Sequence, residues 1–362
     1  MMEKIVILGA GESGTGAALL AKAKGYDVFV SDAGTIKNNY KQQLDNAGIT
    51  YEQGQHTEEA IFEATTIIKS PGIPESAEIL QGALGRGISI IDEIEFANRY
   101  TNARIIAITG TNGKTTTTLL TYHLLKTAGF NVGLAGNVGE SFAKQVINDD
   151  KEFFVLEMSS FQIDGIKSFS PEVAVLLNIT PDHLNRYDYK MQNYIDSKFR
   201  LVENLKVDDA FIYFSDDENI RKELSLKEFN GIKYPITISA NAESNNAWVV
   251  GEQMAFQLAD NSFQINQSDT TLKGKHNLIN TMAAVIAATK VGLDEKSIRE
   301  GLKTFKNAPH RLEYVATIKE VDFYNDSKAT NVEATKYALE SFSNNLVWIA
   351  GGVDKGNDYN QL

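Results

Sequence analysis

The apolar run Ile105-Ile106-Ala107-Ile108 leads directly into Thr109-Gly110-Thr111-Asn112-Gly113-Lys114-Thr115-Thr116-Thr117. Residues of these types at this spacing bind phosphate. Glycines let successive backbone N–H groups converge on the oxygens, a lysine adds a cation, and a hydroxyl at the helix start reaches a bound Mg²⁺. The expected ligand is ATP with magnesium, held by Gly110, Thr111, Asn112, Gly113, Lys114, Thr115 and Thr116. A helix that merely begins after a glycine turn is the plain alternative, and Lys114 followed by a threonine run argues against it. The usual pattern has a glycine five positions before Gly113, where this chain has Ile108, so the loop is a shortened variant.

A second glycine turn, Gly9-Ala10-Gly11-Glu12-Ser13-Gly14, fits G-x-G-x-x-G after an apolar run, and Asp32 closes the next run where a ribose-binding acid would stand. By itself the turn admits a nicotinamide cofactor, another nucleotide, or tight strand–helix packing. Glu157 ends Phe153-Phe154-Val155-Leu156, and an acid at such a strand end either holds Mg²⁺ beside phosphates or is simply solvated. His183 is one of five histidines and lies in a polar turn, where a lone histidine is more often structural than a ligand. Lys198, in Tyr194-Ile195-Asp196-Ser197-Lys198-Phe199-Arg200, reads on ordinary grounds as a solvated helix lysine.

Elements must hold these side chains together. Residues 5–8, 28–30, 66–68 and 88–91 are short β-rich runs alternating with helical stretches, a parallel α/β unit. A second unit starts at Ile105, with strands expected at 153–156 and 173–178. Residues 234–272 alternate around Trp248, Phe256 and Phe263 and predict antiparallel hairpins attached to it, followed by a helix over 277–291. After Pro309-His310-Arg311 a third α/β unit is expected, with strands at 321–324 and 346–350 flanking a helix over 332–342. Domain boundaries then fall at 1–97, 98–306 and 307–362. Two strands and a helix bury too little apolar surface for an ordinary stable domain, so the third unit is expected to be cut short.

Composition excludes several classes. The 362 residues are 43% hydrophobic, ample for packed cores, and 47 acidic against 35 basic residues give a net charge of -12 that disfavours a nucleic-acid partner. No cysteine is present, so disulfides, thiolate metal sites and thiol nucleophiles are ruled out, which suits a reducing cytoplasm. No apolar run reaches membrane-spanning length, and the N-terminal run is too short for a signal peptide.

Taken in order with the 110–116 loop, Ser70-Pro71-Gly72-Ile73, Glu157-Met158-Ser159-Ser160-Phe161-Gln162, Pro309-His310-Arg311-Leu312-Glu313 and Asn325-Asp326-Ser327-Lys328-Ala329-Thr330-Asn331 resemble the Mur ligase family over essentially the whole chain. These are the ATP-dependent amino-acid ligases that build the peptidoglycan stem peptide, and the match is to the branch that adds D-glutamate. The resemblance implies an α/β protein of three domains: a Rossmann-like domain for the UDP-linked substrate, a central P-loop domain with a parallel sheet plus a small antiparallel sheet, and a Rossmann-like third domain, truncated here. It implies a monomeric cytoplasmic enzyme of cell-wall precursor synthesis, joining UDP-N-acetylmuramoyl-L-alanine to D-glutamate with ATP and two Mg²⁺ ions. The alanine carboxylate would be phosphorylated and the D-glutamate amine would then attack the acyl phosphate.

The resemblance also implies roles for matching residues. Lys114 and Thr115 hold the ATP phosphates and the first Mg²⁺, with Glu157 as a metal or water ligand, and His183 helps hold the second Mg²⁺. Lys198 matches a carbamoylated lysine whose anion supports that metal. Asn277, Asn280 and Arg311 match contacts to adenine, ribose or phosphate, and Asp326 another nucleotide contact. Glu12, Ser13, Asp32, Ser70 and Gly72 would bind the UDP portion, with Asn137 reaching across from the central domain. Lys328, Thr330 and Lys355 match positions near the reacting carboxylates. The family's third domain continues further and supplies a serine-containing stretch for D-glutamate, so this chain is expected to bind the UDP substrate but ligate poorly. A Mur-type ligase for a different amino acid, a nicotinamide-dependent dehydrogenase resting on residues 9–14 and Asp32, and a P-loop switch resting on the 110–115 loop and Glu157 are the rival readings.

Overall fold

Val6, Ile7 and Leu8 are wholly buried in strand β1 (Lys4–Leu8), because helices cover both faces of its sheet, the condition under which a parallel strand reads as an unbroken apolar run. A computed structural model describes residues 3–240, 245–258, 261–342, 345–352, 359–360 and 362. Among them the first sheet contains β1, β2 (Asp27–Asp32), β3 (Thr50–Gln53), β4 (Thr66–Lys69) and β5 (Ser89–Asp92), all parallel, in the order β3-β2-β1-β4-β5. The order reverses between β1 and β4, so the Gly9 turn and residues 70–72 flank the crevice where such sheets bind ligands.

The central sheet contains β6 (Arg104–Thr109), β7 (Val132–Gly136), β8 (Phe153–Glu157), β9 (Val173–Leu176), β10 (Ala210–Phe214), β11 (Ile232–Ile236), β12 (Ala247–Val250), β13 (Gln253–Leu258) and β14 (Asn261–Asn266). Their order is β14-β13-β12-β11-β10-β9-β6-β8-β7. Here the switch lies between β6 and β9, which sets the 110–115 loop beside the turn after β9. The expected hairpins are present as β12–β14, yet they extend the main sheet: β12 joins β11 through the parallel pairing Ile236–Ala247. Tyr234, expected within the hairpins, belongs to parallel β11. The predicted helix over 277–291 forms as Lys275–Lys290 and is buried along most of its length.

The third unit departs from expectation. β15 (Glu313–Ile318) and β16 (Val321–Asn325) form an antiparallel ribbon followed by the helix Val332–Glu340. Residues 346–350, expected as a strand, are irregular, with Val347 and Ile349 89% and 90% exposed. Strand propensity reflects fit to a pleated, half-buried surface, and an apolar run without a ladder partner does not realise it.

The first two units are joined by buried acids on the helix Glu93–Asn98. Asp92 caps that helix by accepting from the Glu95 amide at 2.8 Å, and burial pushes its carboxyl up to about 7. Glu93 accepts from the Ser141 hydroxyl and from the Ala143 amide at 3.0 Å. Glu95 accepts from the amides of Lys167, Ser168 and Phe169 at 3.0, 3.0 and 2.9 Å and from the Ser168 hydroxyl at 2.6 Å. Burial alone would raise the Glu95 pKa, but the hydroxyl and the three amides together hold it below the ordinary carboxylate value.

A depressed folded-state pKa gives stability that is present above the unfolded pKa and lost as pH falls through the folded one. Glu95→Gln should therefore cost about 2 to 4 kcal/mol at neutral pH. The deficit, read from urea midpoints, should shrink as the pH is taken below about 4.

Candidate active site

The phosphate loop is held open by neighbours that the sequence does not place. Gly113 has φ +84° and caps the helix Lys114–Thr127, and a Cβ there would lie 2.3 Å from Asn280 Oδ1. Gly110 is equally confined, with an added Cβ 3.0 Å from that of Leu177. Asn178, just past β9, braces the loop by accepting from the Asn112 amide at 2.8 Å and donating to the Asn112 carbonyl at 3.0 Å. Its position beside the switch point is the signal that could have singled it out. Asn280 accepts from the Thr117 hydroxyl at 3.2 Å and donates to Asn277 Oδ1 at 3.0 Å. Both asparagines are buried and tie the helix Lys275–Lys290 to the loop. Thr116 donates to Asn307 Oδ1 at 3.3 Å.

Two lysines converge on this loop. Lys114 Nζ donates to the carbonyls of Gly110 and Thr111 at 2.9 and 2.8 Å. Lys198, on the helix Met191–Glu203, also donates to the Gly110 carbonyl at 2.9 Å and lies 4.8 Å from the centre of the Tyr194 ring. The expectation of a solvated lysine fails at Lys198, which is 1% exposed. Burial first, and the neighbouring Lys114 cation second, pull its pKa well below the usual lysine value. Lys114 is lowered chiefly by burial, against the pull of Glu157 and Asp182.

Glu157 is buried at the end of β8, beside Gly110's strand. Its Oε1 accepts from Asn137 Nδ2 at 2.7 Å, while among the described residues no donor reaches Oε2. Asn137 thus meets the carboxylate of the phosphate site. An orphaned buried carboxylate oxygen next to a phosphate loop fits a hard cation or its water shell. Among the described residues no three His, Cys, Asp or Glu side chains converge as a cage, so a Mg²⁺ here would complete its shell with phosphate oxygens and water.

His183 has φ +51° at the head of the turn Leu184–Arg186, a conformation uncommon for a residue with a Cβ and one that clusters at functional sites. Its side chain is half-exposed, with Nε2 3.6 Å from Asp182 Oδ2 and the ring edge-on to Phe161 at 5.2 Å. From the third unit, Arg311 donates to the Thr115 hydroxyl at 3.0 Å, Asn331 donates to Asn112 Oδ1 at 2.9 Å, and Glu333 accepts from Asn112 Nδ2 at 2.9 Å and Thr180 Oγ at 2.5 Å. Asp326 braces Arg311's own segment by accepting from the Leu312 amide at 2.9 Å. Lys328 and Thr330 are exposed, and Lys355 lies outside the described residues.

In the first unit each glycine of the turn has its own reason. Gly9 has φ +88° and a Cβ there would lie 2.5 Å from Ser70 Oγ; at Gly14 it would lie 1.8 Å from the Gly9 carbonyl; at Gly11 it would meet nothing within 4 Å. Gly9 and Gly14 therefore serve the turn and the packing, and Gly11 leaves the backbone open to an approaching ligand. Asp32 accepts from the amides of Ala10 and Gly34 at 2.6 and 2.7 Å, one on each oxygen, so it organises the crevice from within. Glu12 accepts from the Ser141 amide at 3.2 Å across the unit boundary, and Ser13 faces Glu93. Gly72 is exposed beside Ser70. A groove of about 420 Å³ between Leu119, Tyr122 and Phe305 lies along the flank of the helix Lys114–Thr127, away from these groups.

A parallel sheet with a phosphate loop, a buried acid and crowded lysines at its switch point defines a nucleotide-using α/β enzyme. Residues 108–288 match the Mur ligase middle domain and residues 4–79 the MurD N-terminal domain, and the chain belongs to the Mur ligase family, whose members are ATP-dependent ligases. It is 50% identical to the UDP-N-acetylmuramoylalanine–D-glutamate ligase of Bacteroides fragilis, over 100% of this chain and 81% of that one. To the ligase of the same name from Bacteroides thetaiotaomicron it is 49% identical with the same coverage. The fold is similar to a murein peptide ligase from Psychrobacter arcticus, with TM-score 0.60 and 21% identity over 93% of this chain and 75% of that one. A UDP-N-acetylmuramate-alanine ligase from Thermotoga maritima gives 0.58 and 18% over 94% and 77%. No described helix is long and apolar enough to cross a membrane.

The expected role of Lys114 is to stabilise charge on the transferring phosphoryl oxygens more in the transition state than in bound ATP. Lys114→Ala should lower kcat about a hundred- to thousandfold, with a smaller rise in KM for ATP. Steady-state kinetics of ATP turnover check this, and a near-normal kcat would remove Lys114 from the chemistry.

Proposed function

We infer that this chain is the ATP-dependent ligase that joins D-glutamate to UDP-N-acetylmuramoyl-L-alanine in peptidoglycan precursor synthesis. The observation that carries the reading is 50% identity across the entire chain to ligases of that name. The alanine carboxylate oxygen attacks the γ-phosphorus and ADP leaves. The D-glutamate amine then attacks the acyl carbon, a proton is lost, and phosphate leaves as the amide forms. A carboxylate is a poor electrophile, and phosphorylation gives it a good leaving group.

The chain's residues divide this work. The 110–115 loop cradles the phosphates, and Lys114 offsets charge on the oxygens in flight. Arg311 and Asp326 bring the third unit to the first turn of the phosphate helix, while Asn277 and Asn280 fix that helix near the nucleoside. In the first unit Gly11, Ser70 and Gly72 face the UDP portion, with Asp32, Glu12 and Ser13 shaping the crevice. Lys328, Thr330 and Lys355 belong to the third unit's share of the reacting carboxylates. Glu157 Oε2, Thr115 and His183 would hold two Mg²⁺ ions, which when bound would supply neutralising charge to phosphate oxygens. The working unit is a monomer in the cytoplasm.

Lys198 acts as a carbamate. Burial, with the Lys114 cation nearby, pulls its pKa well below the usual lysine value and so favours the neutral amine, which adds to the carbon of CO₂ and releases one proton to solvent. The product is an anion beside Lys114 where two cations would repel. With ¹³C-bicarbonate a carbamate carbon resonance should appear in the native protein and vanish in Lys198→Ala. That variant should lose ligation, and short carboxylates should partly restore it. No resonance at saturating bicarbonate would overturn the assignment.

The activity itself is tested by phosphate release from ATP in a version extended to the length of the relatives, of which this chain spans 81%, with UDP-N-acetylmuramoyl-L-alanine and each candidate amino acid in turn. Release that depends on D-glutamate is expected. Release driven as well by another amino acid would assign the chain to a different branch of the family.

A further inference from the structure

Arg186 ends the turn that His183 begins, and its guanidinium reaches out of the central unit to the first one. Nη1 donates to the Gly72 carbonyl at 3.0 Å and Nη2 to the Pro71 carbonyl at 3.4 Å. The same guanidinium lies 4.4 Å from the centre of the Phe161 ring. Phe161 in turn packs edge-on against His183 at 5.2 Å and stacks along Tyr187 at 6.3 Å. One side chain therefore touches the loop that flanks the first sheet's crevice and, through a single ring, the histidine of the turn after β9, whose Thr180 carbonyl accepts from the Thr111 hydroxyl of the phosphate loop at 3.0 Å.

A solvated surface arginine would have no reason to place its fork on two carbonyls of another unit while lying over an aromatic face. Both contacts use the planar guanidinium: the fork supplies two donors at fixed angles, and the flat face gives the cation–π contact. Phe161 itself is held rigidly. Ser159 caps the short helix Ser160–Ile163 and Gln162 answers it, a reciprocal capping box that fixes the backbone on both sides of the ring. On the other side, the Ser70 hydroxyl lies 3.4 Å from the Gly9 carbonyl, so displacement of residues 70–72 is felt at the glycine turn. Arg186 thus spans two pieces of structure that are each stiff.

We propose that Arg186 is a positioning residue that sets the 70–72 loop against His183, so that the seat of the UDP-linked substrate and the geometry at the phosphate-transfer centre are fixed by one clamp. This rests on reading the first-sheet crevice as the UDP-substrate site. Lysine keeps the charge at position 186 without the fork, and methionine keeps only the stem.

The test combines kinetics with hydrogen exchange, which needs no substrate. In Arg186→Lys and Arg186→Met, KM for UDP-N-acetylmuramoyl-L-alanine should rise and kcat fall, each by about tenfold, with KM for ATP held within about twofold. Phe161→Leu should lower kcat while leaving KM for the UDP substrate nearly unchanged, and should couple non-additively with Arg186→Met. The Ile73 amide, which donates to the Ser70 carbonyl at 3.0 Å, should exchange faster in both Arg186 variants. Unchanged exchange at Ile73 would overturn the clamp even if the substrate were misassigned. Faster exchange with unaltered kinetic constants would reduce Arg186 to a structural tie and overturn its positioning role. A wild-type protein that releases no phosphate with the UDP substrate and D-glutamate would fail the functional reading, and exchange would then decide the clamp alone.

Discussion

Lys114 and Lys198 donate to one oxygen, the Gly110 carbonyl. Two full positive charges on a single acceptor would repel strongly where water is excluded, and the cost of that crowding rises as the effective dielectric falls. Much of the central unit can be understood as managing it. Glu157 and Asp182 face Lys114 with opposite charge, the Lys198 pKa is pulled well down, and Asn178 keeps the carbonyl's loop from moving away. Lys114 and the loop amides would offer phosphate oxygens a preorganised seat, and the charge on such oxygens develops further during transfer.

That concentration is possible because neighbouring strands of one sheet end side by side. β6 delivers the loop, β8 delivers Glu157, and the turn after β9 delivers Asn178, Thr180 and His183, all at the carboxyl ends of their strands. The first sheet repeats the principle with the Gly9 turn and residues 70–72 across its own switch point. Buried acids on the helix Glu93–Asn98 hold the sheets in one relation, each accepting from amides of the central unit. Such joints tolerate little change, since a buried carboxylate stripped of its donors destabilises far more than the trimming of an apolar side chain.

Third-unit residues meet the same loop through polar side chains. Arg311 occupies the Thr115 hydroxyl, and Glu333 bridges Asn112 to Thr180. These hydrogen bonds join the third unit to the 110–115 loop and to the turn after β9. Charged and amide groups rearrange at lower cost than packed apolar ones, which suits a boundary that a substrate must enter.

The order of chemistry along the chain was legible without coordinates: the phosphate loop, the glycine turn, Glu157 at a strand end and the family pattern follow from residue type and spacing, because backbone geometry at glycines and strand periodicity are local properties. Partnership was not legible. Asp32 has the spacing of a ribose-binding acid, and its two oxygens accept from Ala10 in the glycine turn and from Gly34 just past β2. Asn137, expected at the UDP portion, donates to Glu157, and Lys198 has the sequence context of a solvated lysine but is buried. Residues 346–350 have strand composition and lack a ladder. Sequence by itself determined which groups can donate, accept or carry charge and which backbone turns they sit on. Only the tertiary structure decided which of them share an oxygen, because strand order and the burial it creates bring together residues such as Gly110 and Lys198 whose separation in the chain carries no record of their proximity.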